Sequence, residues 1–131
     1  MGLDHQPADR VLLEGGSATI EGTVALGLAF LLLTLLVQVA TAMTARSAAG
    51  AAVAASARRA SLPGFDAAGE EIRLGEMIEA TVPGARRIRT DVRARGDLAT
   101  ALVRFEWRPP GPVWRTFVIR VRSDVPLVVS P

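Results

Sequence analysis

The chain of 131 residues has no cysteine, no lysine and no tyrosine, and aromatic residues make up only 5% of it. Without cysteine there is no disulfide and no thiolate for redox or metal chemistry. His5 is the single histidine, and the sequence shows no spaced cluster of histidines and carboxylates, no serine with a histidine partner and no phosphate-binding loop. We therefore expect no enzymatic activity, no metal, no cofactor and no small-molecule substrate.

Charge is placed unevenly along the chain. All fifteen basic residues are arginine and thirteen residues are acidic, which leaves a net charge of +2. Residues 1–22 carry one arginine and four acids, a net of −3, whereas residues 46–131 carry fourteen arginines and nine acids, a net of +5. A small net charge with few aromatic residues argues against nucleic-acid binding.

Hydrophobic residues make up half of the chain and are concentrated in one run. No charged residue occurs from Thr23 to Ala45, which is long enough, at about 1.5 Å per residue, to cross about 30 Å of hydrocarbon. We predict a membrane-spanning segment over 23–45 inside one long helix over 17–61, which ends before Pro63-Gly64. Residues 1–16 are polar and end in two glycines, so we predict a flexible tail there.

The remainder predicts an α+β fold, with a second helix and linkers over 62–84 and a small antiparallel sheet of about three strands over 85–131. Asp66 is the predicted cap of the second helix. Its predicted apolar stripe consists of Ile72, Leu74, Met77 and Ile78. Beyond it, apolar residues alternate with polar ones along each predicted strand. The inward residues are Ile88, Thr90, Val92 and Ala94, then Val103, Phe105 and Trp107, then Phe117, Ile119 and Val121.

Three strands need a cover for their apolar face, and the second helix and the upper part of the long helix are the available elements. The outward arginines are typical of a solvated face with pairs between arginines and acids on neighbouring strands. Binding of an acidic partner or of lipid head groups is the alternative. The last residues, DVPLVVSP, predict either a short edge strand or a tail.

Glu21 stands immediately before the apolar run, where a carboxylate costs at least about 2.5 kcal/mol in hydrocarbon unless it is paired. Cleavage after Gly16 would create an amino group on Ser17, one helical turn from Glu21. Gly16, four residues, Glu21 and a long apolar helix resemble the class III signal of type IV prepilins. The run from Gly16 to Ser61 is most similar to TadE/TadG-like minor pilins of the tight-adherence (Flp-type) pilus system, particularly short actinobacterial ones.

The resemblance rests on a start of the form GSATIE, a leucine-rich span, Gln38 late in the span, Arg46 and an alanine-rich extension. The chain has Gly22 where that family often has phenylalanine, and Glu14-Gly15 where a basic residue commonly precedes the cleavage glycine. The resemblance implies a cytoplasmic leader over 1–16 and cleavage by a prepilin peptidase between Gly16 and Ser17. It also implies partners in other pilin subunits and the pilus assembly platform, with Glu21 acting in assembly.

Gly22, directly before the span, and Gly27 and Gln38 within it are candidates for helix packing. Two other interpretations stay open: a single-pass accessory subunit of another membrane complex, and a small secreted binding domain released by cleavage after Ala40-Thr41-Ala42. The arginines after the span favour a cytoplasmic C-terminus. The resemblance requires the opposite orientation in the bacterial cell membrane, with the C-terminal part outside, and we adopt that orientation.

Overall fold

A computed structural model describes residues 8–111 and 115–128 of the protein, with side chains of the first helix from residue 15 onward. The elements are α1 (Ala8–Ala60), α2 (Ala67–Thr81), β1 (Ala85–Arg95), β2 (Leu98–Trp107) and β3 (Phe117–Pro126). The predicted α+β class is confirmed. The chain divides into two compact units, Met1–Val37 and Gln38–Pro131, and we call the second unit the head.

Helix α1 begins at Ala8, so the prediction of a flexible tail through Gly16 is wrong for residues 8–16. Residues 1–7 lie outside the described part of the chain. A glycine inside a helix costs about 1 kcal/mol relative to alanine. Leu12, Leu13 and Glu14 are good helix formers and directly precede the two glycines, through which the helix continues. It ends at Ala60, next to the Pro63-Gly64 break, where Gly64 takes φ 76°.

Helix α2 begins at the predicted cap. The Asp66 carboxylate accepts a hydrogen bond from the amide of Gly69 at 3.1 Å. The buried residues of α2 are Glu70, Leu74 and Ile78. Because these are spaced by four residues, Ile72 falls on the opposite side of the helix and is 65% exposed, so its predicted place in the apolar stripe is wrong.

The three strands form an antiparallel meander in the order β1-β2-β3. One extra residue in β1, between Arg86 and Arg89, shifts the register with β2, and Arg87 there takes φ 50°. A shift of one residue exchanges the two faces of a strand. This bulge therefore lets both Ala85 and Val92 lie on the inner face. The inner face of β2 is buried as predicted, whereas Ala94 and Phe117, at the ends of the sheet, are exposed.

One hydrophobic core lies between the inner face of the sheet and the two helices, as predicted. From α1 the core receives residues at helical spacing: Ala45, Ala49, Ala52, Val53, Ala57 and Ala60. Leu74 and Ile78 come from α2, and Phe105 is the largest fully buried side chain. The alanine-rich end of α1 is therefore part of the head.

The C-terminal segment extends β3 through Pro126, so it is neither a separate edge strand nor wholly a tail. The next two residues are tied to the head by backbone hydrogen bonds, from Leu127 N to Asp97 O at 2.8 Å and from Val128 N to Ser61 O at 3.2 Å. The first of these bonds reaches the predicted Gly96-Asp97 turn, where Gly96 takes φ 65°.

Candidate membrane and assembly segment

The N-terminal unit presents an apolar helix surface. Its most hydrophobic window has a mean hydropathy of 2.3 and no buried residue, and side chains such as Leu26 and Phe30 are 73% and 72% exposed. Among the described residues there is one helix, near the N-terminus, that is long and apolar enough to cross a membrane. A signal sequence would have the same properties. The surface is consistent with membrane anchoring.

Threonine hydroxyls inside this surface are satisfied within the helix. The hydroxyls of Thr19, Thr23 and Thr34 donate to the carbonyl oxygens of residues 15, 19 and 30 at 3.0, 2.9 and 2.8 Å. Within the head, the Thr44 hydroxyl donates to Ala40 O in the same way. A hydroxyl bonded to a carbonyl four residues earlier needs no water, so these threonines are compatible with hydrocarbon.

The predicted processing residues Gly16 and Ser17 and the predicted assembly residue Glu21 are exposed on α1. Ser17 and Glu21 are four residues apart in continuous helix, so they lie on one side of it, separated by about 6 Å along the axis. Within the part of the chain that the structure describes, no residue is hydrogen-bonded or ion-paired to the Glu21 carboxylate. This carboxylate is available to a group outside the described chain.

The three predicted packing residues have different surroundings. Added β-carbons at Gly22 and Gly27 would meet no atom within 4 Å, so the backbone is open at both positions. Gly27 also lies in a shallow apolar groove between Leu26, Phe30 and Leu33. Gln38 is half-buried and belongs to the head. Only the two glycines therefore lie in the N-terminal unit.

A buried polar cluster joins the two helices inside the head. The Glu70 oxygen Oε1 accepts hydrogen bonds from Ser56 Oγ at 3.0 Å and from Arg59 Nε at 2.8 Å. Arg59 Nη2 is also 2.8 Å from this oxygen, but its N–H direction does not make a hydrogen bond. Ser56 is fully buried and Glu70 is 8% exposed. This cluster was not predicted from the sequence, where its one signal is a serine and an arginine three residues apart in the alanine-rich run.

The free edge of β1 is closed by α2. The amide of Val92 donates to Glu71 Oε1 at 3.1 Å, and the Thr90 hydroxyl donates to the backbone oxygen of Glu71 at 3.0 Å. At the other end of β1, the indole nitrogen of Trp107 donates to Pro83 O at 3.1 Å. These bonds attach α2 and its following turn to the sheet.

Among the described residues, the outer face of the sheet carries three pairs between arginines and acids, of which one joins neighbouring strands as predicted and two lie within a single strand. Glu106 pairs with Arg87 at 3.1 Å, and the Asp91 carboxylate accepts from Arg93 Nε at 2.6 Å. Asp124 accepts from the Thr100 hydroxyl at 2.6 Å and from Arg122 Nε at 3.0 Å. The hydrogen bond from Thr100, aided by Arg122, lowers the pKa of Asp124 below its usual value.

Metal-ligating residues are not clustered in the described part of the chain, where no group of three His, Asp or Glu side chains could hold an ion. The candidate functional features are thus the apolar helix surface, the side of α1 that carries Ser17 and Glu21, and the charged outer face of the sheet.

Comparison with known proteins identifies no similar protein. No family model matches the chain, and no curated protein or solved structure is significantly similar to it.

Proposed function

We propose that this protein is a TadE-like minor pilin, a membrane-anchored structural subunit for the assembly of an Flp-type pilus or a related secretion system. A prepilin peptidase cuts after Gly16, the mature helix packs beside other pilin helices, and Glu21 pairs with a Ser17 amine of its own or a neighbouring subunit. The head contributes to initiating, capping or tuning the pilus. The subunit catalyses no reaction.

The observation that carries this proposal is the position of Ser17 and Glu21 on one side of a helix that continues directly into an exposed apolar surface. An amine and a carboxylate at this spacing can neutralise each other, which lowers the cost of placing the carboxylate at the edge of the hydrocarbon. Between neighbouring helices the same pair defines a register.

The proposed orientation has the N-terminus in the cytoplasm and the head outside. The tendency of arginines to remain cytoplasmic opposes it, because Arg46, Arg58 and Arg59 follow the span. Arg59 is paired with Glu70 inside the head, which reduces the number of free charges near the span. The helix supplies buried alanines to the head core from Ala45 to Ala60, so the arginines at 58 and 59 belong to a folded domain beyond the lipid segment.

Replacement of Glu21 tests the assembly role in the native host. Glu21→Gln keeps the shape of the side chain but removes the charge, whereas Glu21→Asp keeps the charge. We expect both variants to insert into the membrane, and only the Gln variant to lose incorporation into sheared pili. Equal incorporation of the Gln variant and the wild type would remove Glu21 from the mechanism.

The two other interpretations predict different mature chains. A single-pass accessory subunit keeps residues 1–16. A secreted binding domain starts at Met43, and this start retains every buried core residue of α1 but loses the partly buried Ala42. A fusion reporter placed after Pro131 separates the orientations: activity only in the cytoplasm would contradict the proposed one.

A further inference from the structure

Three arginines form an unpaired row across the outer face of the sheet. The register places Arg89 opposite Arg104, and Arg104 opposite Arg120. Neighbouring strands are about 4.8 Å apart, so three positive groups lie side by side. Like charges directly opposite each other destabilise a sheet. The row therefore costs the isolated head stability.

No acid on this face is available to the row. Glu106, Asp91 and Asp124 already pair with Arg87, Arg93 and Arg122. Within the described residues, none of the three arginines of the row makes a hydrogen bond or an ion pair. A shallow depression lined by Arg89, Arg104, Glu106 and Val118 lies beside the first two arginines of the row. The row is open to an acidic group from outside the chain.

The side of the head formed by α2 carries exposed carboxylates. Ile72, Glu76 and Glu79 lie on the side of α2 that faces away from its buried residues, and all three are exposed. No described residue pairs with either of these two carboxylates. Ile72 is 65% exposed beside them, as Val118 is 52% exposed beside the arginine row. Arg73 is exposed as well, three residues before Glu76, so the two carboxylates and this guanidinium give the surface a net charge of −1 against the three positive charges of the row. Each surface also has one exposed aliphatic side chain.

We propose that the arginine row of one copy binds the outer face of α2 of a second copy. The helices cover the inner face of the sheet and the row lies on its outer face, so the two surfaces of one head cannot meet each other. Their contact joins different copies head to tail, and such heterologous contacts build rings or open filaments. As a contact between pilus subunits, the proposal rests on the proposed function.

Cross-linking of the full-length chain tests this contact, since the natural chain has no cysteine. Val118→Cys and Ala80→Cys each place one thiol beside a surface without removing a charge. The two variants are mixed in phosphatidylcholine vesicles, treated with a bismaleimide, and the linked peptides are identified by mass. We expect the mixed product between positions 80 and 118 to exceed both like-with-like products.

Charge reversal tests whether the contact between positions 80 and 118 depends on the charges of the two surfaces. Arg104→Glu with Arg120→Glu in the Val118→Cys chain should lower the mixed product by about tenfold or more, because like charges then face each other. Glu76→Arg with Glu79→Arg in the partner chain should restore it, which also shows that the reversed head is folded. The matched control, Arg46→Glu with Arg58→Glu on α1, should change the yield less than about twofold.

Three results would overturn the proposal: only products between two copies of position 118, a mixed product unaffected by the reversal at Arg104 and Arg120, or no mixed product at all. In the last case, the Val118→Cys thiol is treated with a soluble maleimide in vesicles of phosphatidylglycerol or phosphatidylcholine. Protection of the thiol in phosphatidylglycerol vesicles alone would mean that the row binds anionic lipid head groups. If no cross-link forms but the native chain begins at Ser17, the proposed function stands and this contact falls.

Discussion

Removal of the Glu70 carboxylate tests whether the buried polar cluster holds the two helices of the head together. Glu70→Ala leaves the fully buried Ser56 hydroxyl without its acceptor, which costs about 1–3 kcal/mol. It also leaves Arg59 without its counter-ion, but the Arg59 side chain is 34% exposed, so water offsets much of that loss. We expect a total loss of roughly 2–3 kcal/mol in the free energy of unfolding.

Urea unfolding of the full-length chain in detergent micelles measures this loss. The near-ultraviolet circular dichroism of the buried Trp107 follows the head, whereas far-ultraviolet signal also comes from the apolar helix. Glu76→Ala, on the exposed side of the same helix, is the matched control and should stay within about 0.5 kcal/mol of the wild type.

A double substitution separates pairing from packing. Because each single change leaves a partner unsatisfied, Arg59→Ala with Glu70→Ala should cost less than the sum of the two single changes. A loss below about 0.5 kcal/mol for Glu70→Ala, or simple additivity with Arg59→Ala, would mean that this cluster does not hold the two helices together.

Two further predictions concern the head. Gly84 has φ 85°, and an added β-carbon would lie 2.8 Å from Arg108 O, so Gly84→Ala should destabilise the head by about 2 kcal/mol or more. Gly75 lies inside α2, and the nearest atom to an added β-carbon is 4.0 Å away, so Gly75→Ala should stabilise the head by about 0.5–1 kcal/mol. The same urea titration measures both changes in the free energy of unfolding. Two changes of the same sign would contradict the backbone conformations of these two glycines. The hydrogen bond from Thr100 lowers the pKa of Asp124 in the folded state, so its stabilisation is present above pH 3.8 and is lost as pH falls through the lowered pKa. Between pH 5 and 3 the melting temperature of the wild type should therefore fall more than that of Asp124→Asn, and parallel curves would exclude this contribution.

The sequence alone predicted the elements that depend on local patterns. Asp66, the alternation in β2 and the Pro63-Gly64 break each act within a few residues, and each is confirmed. The predicted start of α1 was wrong because two adjacent glycines predict a break, whereas the helix begins at Ala8 and continues through them.

Features that depend on the relative position of elements could not be predicted in the same way. The stripe of α2 was wrong at Ile72 because the side of α2 that becomes buried depends on contacts with α1 and β1. The arginine row depends on the register of three strands, and that register depends on the bulge after Arg86. The outward direction of Arg104 and Arg120 was predictable from alternation, whereas their place opposite each other was not.

The position of the mature N-terminus distinguishes a processed pilin from the two other interpretations. The protein is purified from its native membrane and its intact mass and N-terminal sequence are determined. We predict a chain that begins at Ser17 with a free or modified amino group, four residues before Glu21. A chain that retains residues 1–16, or one that begins at Met43, would contradict this prediction.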